Sequence, residues 1–195
     1  MTPLKNKLLF IDDNLNDNIK AFNEYASELG YEIIGIDNVE DGLVCLKINN
    51  SICAIILDMG FPDGQKQGYD AISEIKLIDS FIPIIMLTGS DSATDINKAI
   101  ECINKGASDY ILKGSGFSSK YLFDRVNSAV KKYFNDLEEK RHLELKEEFK
   151  NRLHIYEWML QVTEMIIKNI LADKLMFTPV IEKRVKEFKS FYKKI

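Results

Sequence analysis

The sequence predicts an α/β fold, a doubly wound, five-stranded parallel sheet over its first 119 residues, followed by an all-α extension over residues 120–195. Three observations carry this. Five short apolar runs alternate with segments of helical spacing. The runs are almost continuously apolar, as in strands covered on both faces, rather than alternating as in half-exposed ones. Composition then changes near residue 119: residues 1–119 carry 9 basic and 18 acidic side chains, residues 120–195 carry 17 and 12, and the last glycine is Gly116.

The first run, KLLFI (7–11), stops on Asp12, Asp13 and Asn14. Adjacent carboxylates repel and resist leaving water, so this ending needs a reason. A helix cap or turn is the ordinary one. Helical spacing follows, with Ile19, Phe22, Tyr25, Ala26 and Leu29 before Gly30. The second run is YEIIGI (31–36), and the third, CAIIL (53–57), ends on Asp58. Ala71, Ile72, Ile75 and Ile78 mark a helix before IPIIML (82–87), which ends on Thr88 and Gly89. The fifth run, DYIL (109–112), ends on Lys113. Strict β–α alternation implies right-handed crossovers and a parallel sheet, whose ligands bind beyond the carboxyl ends of the strands. Those ends are where the polar residues gather.

Together and in this order, Asp12-Asp13, Asp58, Thr88 and Lys113 resemble the receiver domain of bacterial two-component response regulators. The resemblance covers about residues 1–119, its last helix continuing to about 137, and implies a flavodoxin-like sheet of order 2-1-3-4-5. First and third strands are then neighbours, and three carboxylates share one rim. Oxygen-only ligands in such a group call for a hard divalent ion that keeps several waters, which suits Mg²⁺.

Residue by residue, the resemblance implies that Asp58 accepts a phosphoryl group from a sensor histidine kinase or phosphotransfer protein. Asp12, Asp13, Asp58 and the backbone carbonyl of Gly60 would hold Mg²⁺. Two aspartates and an acyl phosphate set against Mg²⁺ and Lys113 leave a net charge of about −1, so hydrogen-bond donors are also needed. Thr88 would supply a hydroxyl and Gly89 an unobstructed backbone N–H. Tyr110 matches the family's aromatic switch position. Such a protein is a signalling receiver, not an enzyme in the usual sense, since it catalyses only its own phosphotransfer and dephosphorylation. Two departures stand out. Gly114 follows Lys113 where receivers usually have a proline, and DMGFPDGQKQGYD (58–70) is about two residues longer than usual, placing Asp63, Gln65, Lys66 and Gln67 on the rim.

In the extension, Ser118 and Ser119 are caps for a helix through Leu122, Val126, Ala129 or Val130, Tyr133 and Leu137. The charged stretch 138–148 continues it, and Phe149, Leu153, Tyr156, Leu160 and Ile167 resume an apolar stripe, so one long helix or two end-to-end helices should reach about Leu171. Thr178-Pro179 opens a last helix with Ile181, Val185, Phe188 and Tyr192 on one face. Two helices have too little core to fold alone, so residues 120–195 should pair with another chain, a homodimer being favoured, bind another protein, or fold back on the receiver. A DNA-binding regulator is the alternative, but no helix-turn-helix pattern appears, and solvated helix faces account for the basic charge. His142 and His154 are expected to be solvated and packed or half-exposed, respectively. Cys45, Cys53 and Cys102 are odd in number and widely spaced, which suits reduced core thiols better than disulfides or zinc. No run reaches membrane-spanning length and MTPLKNK lacks the apolar core of a secretion signal, so no membrane contact and a cytoplasmic location are expected.

Overall fold

The computed structural model describes residues 5–89, 94–114, 116–171 and 179–192. The chain divides into two compact units, residues 1–138 and 139–195. The composition break at 119 marks the start of a helix whose first part still packs with the sheet, so the units divide later.

In the first unit β1 (Lys7–Ile11), β2 (Glu32–Ile36), β3 (Ile52–Asp58), β4 (Ile84–Thr88) and β5 (Asp109–Leu112) form one parallel sheet in the order β2-β1-β3-β4-β5. The helices α1 (Leu15–Glu28), α2 (Val39–Ile48), α3 (Gly68–Ile78) and α4 (Thr94–Lys105) alternate with the strands, and α5 (Ser119–Leu171) follows. Every residue of β3 is buried, as are Leu8 to Ile11 of β1, which explains their unbroken apolar sequence. On one face, Phe22 of α1 meets Phe10, Phe117 and Phe123 edge-on, with centroids 5.4, 6.3 and 5.8 Å away. On the other, α2 lies so close to the sheet that a Cβ at Gly42 would sit 2.5 Å from the Ile11 side chain.

α5 starts at Ser119 because Ser118 caps it: its Oγ accepts from the Tyr121 N–H at 3.2 Å. Leu122, Phe123, Val126, Val130 and Tyr133 then bury one face against the core. At the opposite end of the sheet from the polar strand ends, the Tyr133 hydroxyl donates to Asp79 Oδ2 at 2.8 Å, and the Lys5 ammonium hydrogen-bonds to the Tyr133 hydroxyl. Asp79 Oδ1 also takes the N–H groups of Phe81 and Ile82, at 3.0 and 3.1 Å, which shapes the turn into β4.

In the second unit, residues 139–171 of α5 and α6 (Pro179–Tyr192) pair. Trp158 stacks on Phe188 with centroids 4.3 Å apart and planes 12° from parallel. Pro179 is the first helical residue of α6, where its missing N–H costs nothing. Thr178 and the side chains of Ile181, Val185 and Tyr192 lie outside the described residues. Cys53 and Cys102 are buried free thiols, whereas Cys45 is only half-buried. Burial pushes the Cys53 thiol up to about 11, so it is an inert core group. No helix among the described residues is long and apolar enough to cross a membrane.

Candidate functional site

Strand register assembles the site. Ile11 pairs with Leu57, so Asp12 follows one strand and Asp58 ends its neighbour at the same level. Asp58 pairs with Leu87 and Thr88 with Leu112, which brings Thr88 and Lys113 to that rim too. The Lys113 N–H donates to the Thr88 carbonyl at 2.6 Å, extending the β4–β5 ladder up to the site.

The Lys113 ammonium is shared between two acids, donating to Asp12 Oδ2 at 2.8 Å and to Asp58 Oδ1 at 2.9 Å. Asp12 is 1% exposed, and its Oδ1 accepts from the Asn14 N–H at 2.9 Å. Asp58 is 9% exposed, and its Oδ2 accepts from the Gly60 N–H at 2.9 Å. Asp13 is exposed, and its Oδ1 accepts from the Asn14 side-chain amide at 3.1 Å. Neither aspartate is used up in capping: the cap residue of α1 is Asn14, which makes no side-chain cap bond.

Burial pushes the Asp58 carboxyl above its ordinary value, opposed by the Lys113 ammonium and the Gly60 N–H and reinforced by Asp12. Burial alone would lower Lys113, but its bonds to Asp12 and Asp58 outweigh it and raise the ammonium above the usual lysine range. The site therefore holds its own cation.

The fit to a divalent ion follows from the donor set. Asp12 and Asp58 already converge on one positive charge, all the candidate ligands are oxygens, and Asp13 stands solvated beside them. Among the described residues no group of three or more His, Cys, Asp and Glu side chains is placed to hold a metal ion, so the fit rests on Asp12 and Asp58 alone, which converge as oxygen donors.

Thr88 is buried, and a Cβ at Gly89 would meet nothing within 4 Å, so the space above it is open. The half-buried Tyr110 ring puts its hydroxyl 3.6 Å from the sulfur of Met59, the residue next to Asp58. The described residues contain no cis peptide bond, so Lys113 reaches both acids with a trans link to Gly114.

Two residues in the β3–α3 loop do more than the sequence suggests. A Cβ at Gly68 would lie 1.9 Å from the Asp58 carbonyl oxygen, so α3 can begin there only with glycine. The Gln67 side chain bonds both the N–H and the carbonyl of Phe61. Gln67 had a rim position on the sequence reading, with no signal of this clamp. The two histidines, His142 and His154, both fall among the exposed residues of α5.

Residues 8–127 match the response regulator receiver domain family. The chain belongs to that family. Among solved structures, the chain is similar to a response regulator receiver domain protein from Clostridium thermocellum at 32% identity, with 65% of this chain and 95% of that one covered and a TM-score of 0.55. A CheY-like receiver domain protein from Methanospirillum hungatei shares the fold at 21% identity, with 67% and 98% covered and a TM-score of 0.55. So does a response regulator from Burkholderia pseudomallei that carries a phosphorylated aspartic acid, a calcium ion and citrate, at 18% identity, 67% and 72% coverage and a TM-score of 0.53. No curated protein matches. The receiver family match stops at residue 127, leaving most of α5 and all of α6 beyond it.

Proposed function

We propose that Asp58 is the phosphoacceptor of a Mg²⁺-dependent response regulator whose helical extension carries the output by pairing with a second copy of the chain. The observation that carries the first part is the single ammonium shared by Asp12 and Asp58 at the rim. A carboxylate kept oriented there by Lys113 on one oxygen and the Gly60 N–H on the other is a nucleophile already in place.

In the transfer, an Asp58 oxygen forms the new O–P bond while the P–N bond to the donor's histidine breaks, and the imidazole leaves with the electron pair. Mg²⁺, held by Asp12, Asp13, Asp58 and the Gly60 carbonyl, would supply charge neutralisation for the phosphoryl oxygens. Lys113 adds one positive charge, Thr88 a hydroxyl and Gly89 an open backbone N–H. The donor is a sensor histidine kinase or a phosphotransfer protein, and the aspartyl phosphate of the Burkholderia relative supports the acceptor chemistry. Tyr110 contacts Met59, the residue after Asp58, which supports its place as the switch position beside the acceptor. The chain acts on itself and is not an enzyme for other substrates.

The extension's part rests on two opposite seams of α5. Ile155, Trp158, Val162 and Met165 are half-buried and lie at helical spacing on one face, with Trp158 on α6. Roughly half a turn away, Phe149, Leu153, Tyr156, Leu160, Thr163, Ile167 and Ile170 repeat at 4-3-4-3-4-3 spacing and are exposed, Phe149 by 71% and Leu160 by 66%. A strict 3.5-residue period is what a second helix needs to stay in contact along a supercoil. Thr163 does not interrupt it, since its hydroxyl donates to the Met159 carbonyl at 2.8 Å. An apolar seam of this kind favours a protein partner over DNA, and a second copy supplies the same seam by symmetry.

The deciding experiment is labelling with acetyl phosphate and Mg²⁺, read by intact mass. Wild type should gain one acid-stable, base-labile phosphoryl group and Asp58→Asn none. Undiminished labelling of Asp58→Asn would move the acceptor elsewhere.

A further inference from the structure

Gln67 closes the β3–α3 loop on itself. Its Oε1 accepts from the Phe61 N–H at 3.0 Å, and its Nε2 donates to the Phe61 carbonyl at 2.9 Å and to the Gln65 carbonyl at 3.3 Å. The side-chain amide thus pairs with Phe61 as one strand residue pairs with another. The loop's base is fixed separately, by the Gly68 N–H on the Met59 carbonyl at 3.2 Å and by the close approach of Gly68 to Asp58.

The consequence falls on Gly60. A trans peptide unit is planar with its N–H and C=O on opposite sides, so holding the Phe61 N–H sets the direction of the Gly60 carbonyl. The preceding unit is held in turn by the Gly60 N–H on Asp58 Oδ2. That unit is also held through the Met59 carbonyl by the Gly68 N–H, whereas Gly60 itself is exposed, has glycine's backbone freedom, and a Cβ there would meet only Asp58 Oδ2, at 4.0 Å. Among the described residues no donor engages its carbonyl. A freely turning carbonyl makes a poor ligand, whereas one whose peptide plane is clamped is ready before the ion arrives.

We infer that Gln67 is a positioning residue for the divalent-cation site, acting through the Gly60–Phe61 peptide to aim the Gly60 carbonyl. The inference rests on the Mg²⁺ reading above. It also gives the lengthened loop a purpose, since the residues between Phe61 and Gln67 are what let the side chain fold back on the peptide it holds.

The test is Mg²⁺ titration by calorimetry on the full chain without phosphodonor, for wild type, Gln67→Met, Gly64→Ala and Asp13→Ala. Gln67→Met keeps the bulk of the side chain and removes the bonds, and should weaken Mg²⁺ binding by about 10-fold, the lower end for lost outer-sphere partners. Gly64 sits at φ +87° in the same loop without touching the Phe61 peptide, so Gly64→Ala should strain the loop and leave Mg²⁺ affinity within about twofold. Equal weakening by Gly64→Ala and Gln67→Met would overturn the inference in favour of general loop stiffness. Wild-type affinity in Gln67→Met, beside a weakened Asp13→Ala, overturns the inference and leaves the Mg²⁺ reading standing. A wild type that takes up no Mg²⁺ overturns both. In wild type alone, Mg²⁺ should shift the Phe61 amide ¹⁵N resonance, because a cation on the Gly60 carbonyl polarises that nitrogen; an unmoved resonance also overturns the inference.

Discussion

Lys113→Met deletes the ammonium and keeps most of the apolar stem. Both acids touch that one nitrogen, at 2.8 and 2.9 Å, so their oxygens stand less than about 6 Å apart. With the ammonium gone, two carboxylates with side chains 1% and 13% exposed face each other. Their repulsion at that separation is about 3 kcal/mol at an effective dielectric of about 20. Loss of one partner from a buried ionic group costs about 3–5 kcal/mol, and the 22% exposure of Lys113 argues for the lower figure. In chelator the sheet unit of Lys113→Met should therefore melt roughly 10 °C below wild type, for about 3 kcal/mol in a unit of this size. Calorimetry with and without millimolar Mg²⁺ measures it. Mg²⁺ should narrow the gap, since an ion at a hundred times its dissociation constant stabilises by about 2.7 kcal/mol and the variant has more repulsion to relieve. Equal melting of variant and wild type in chelator would refute the reasoning, because Lys113 could not then be the countercharge holding the acids together.

Gly68→Ala places a Cβ against the Asp58 backbone, where relief requires moving α3 or the end of β3; a loss of about 3 kcal/mol in urea unfolding is expected, with acetyl phosphate labelling reduced, and unchanged stability would show that the helix start gives way easily. Burial, with the Asp79 bond, raises the Tyr133 hydroxyl far above its ordinary 10.0, so its contribution is present below pH 10 and lost as pH rises through the folded value. Tyr133→Phe should cost about 1 kcal/mol at neutral pH and flatten the alkaline fall in urea midpoint; an alkaline limb identical to wild type contradicts this. Asp79 is half-buried, which alone would raise it, yet its bonds from Tyr133, Phe81 and Ile82 and the charge of Lys5 hold it below 3.8. Its contribution is thus present above 3.8 and lost as pH falls through the lower folded value, and Asp79→Asn should flatten the acid limb. Leu160→Glu sets a charge in the exposed α5 seam and should make the chain monomeric by light scattering at tens of micromolar, with the wild-type dimer shifting on addition of beryllofluoride and Mg²⁺; a wild-type monomer under both conditions removes the homodimer.

The sheet was legible because its strands are buried on both faces and are written as plain apolar runs. Their edges were less so. Tyr31 looks like strand but its N–H bonds to the Ala26 carbonyl at the end of α1, and Ile82-Pro83 precede β4 because Pro83 has no N–H for the ladder and Asp79 holds Ile82. The charged stretch 138–148 is rich in good helix formers without a breaker, and it continues as a single helix to Leu171 where the pattern alone allowed two. Only one of the two α5 seams was visible in advance. The exposed stripe reads as a clean repeat, whereas Ile155, Trp158, Val162 and Met165 become a second seam only once α6 lies beside them. At the site, strand ends signal which residues share a rim. The sharing of Lys113 between two acids and the Gln67 clamp are tertiary hydrogen-bond geometry, and a glutamine in a polar loop carries no mark of its partner.

Trp158 is the chain's single tryptophan, and its indole lies flat on Phe188 between two helices of the extension. Indole emission consequently reports on the pairing of α5 with α6, while Asp58 and Lys113 belong to the sheet unit. A phosphodonor that alters that emission has changed the surroundings of the α5–α6 stack, and one that leaves it constant while Asp58 is modified has left that stack as it was. The molecule thus carries, in one stacked pair of rings, its own optical gauge of whether a chemical event on the sheet is heard in the helices.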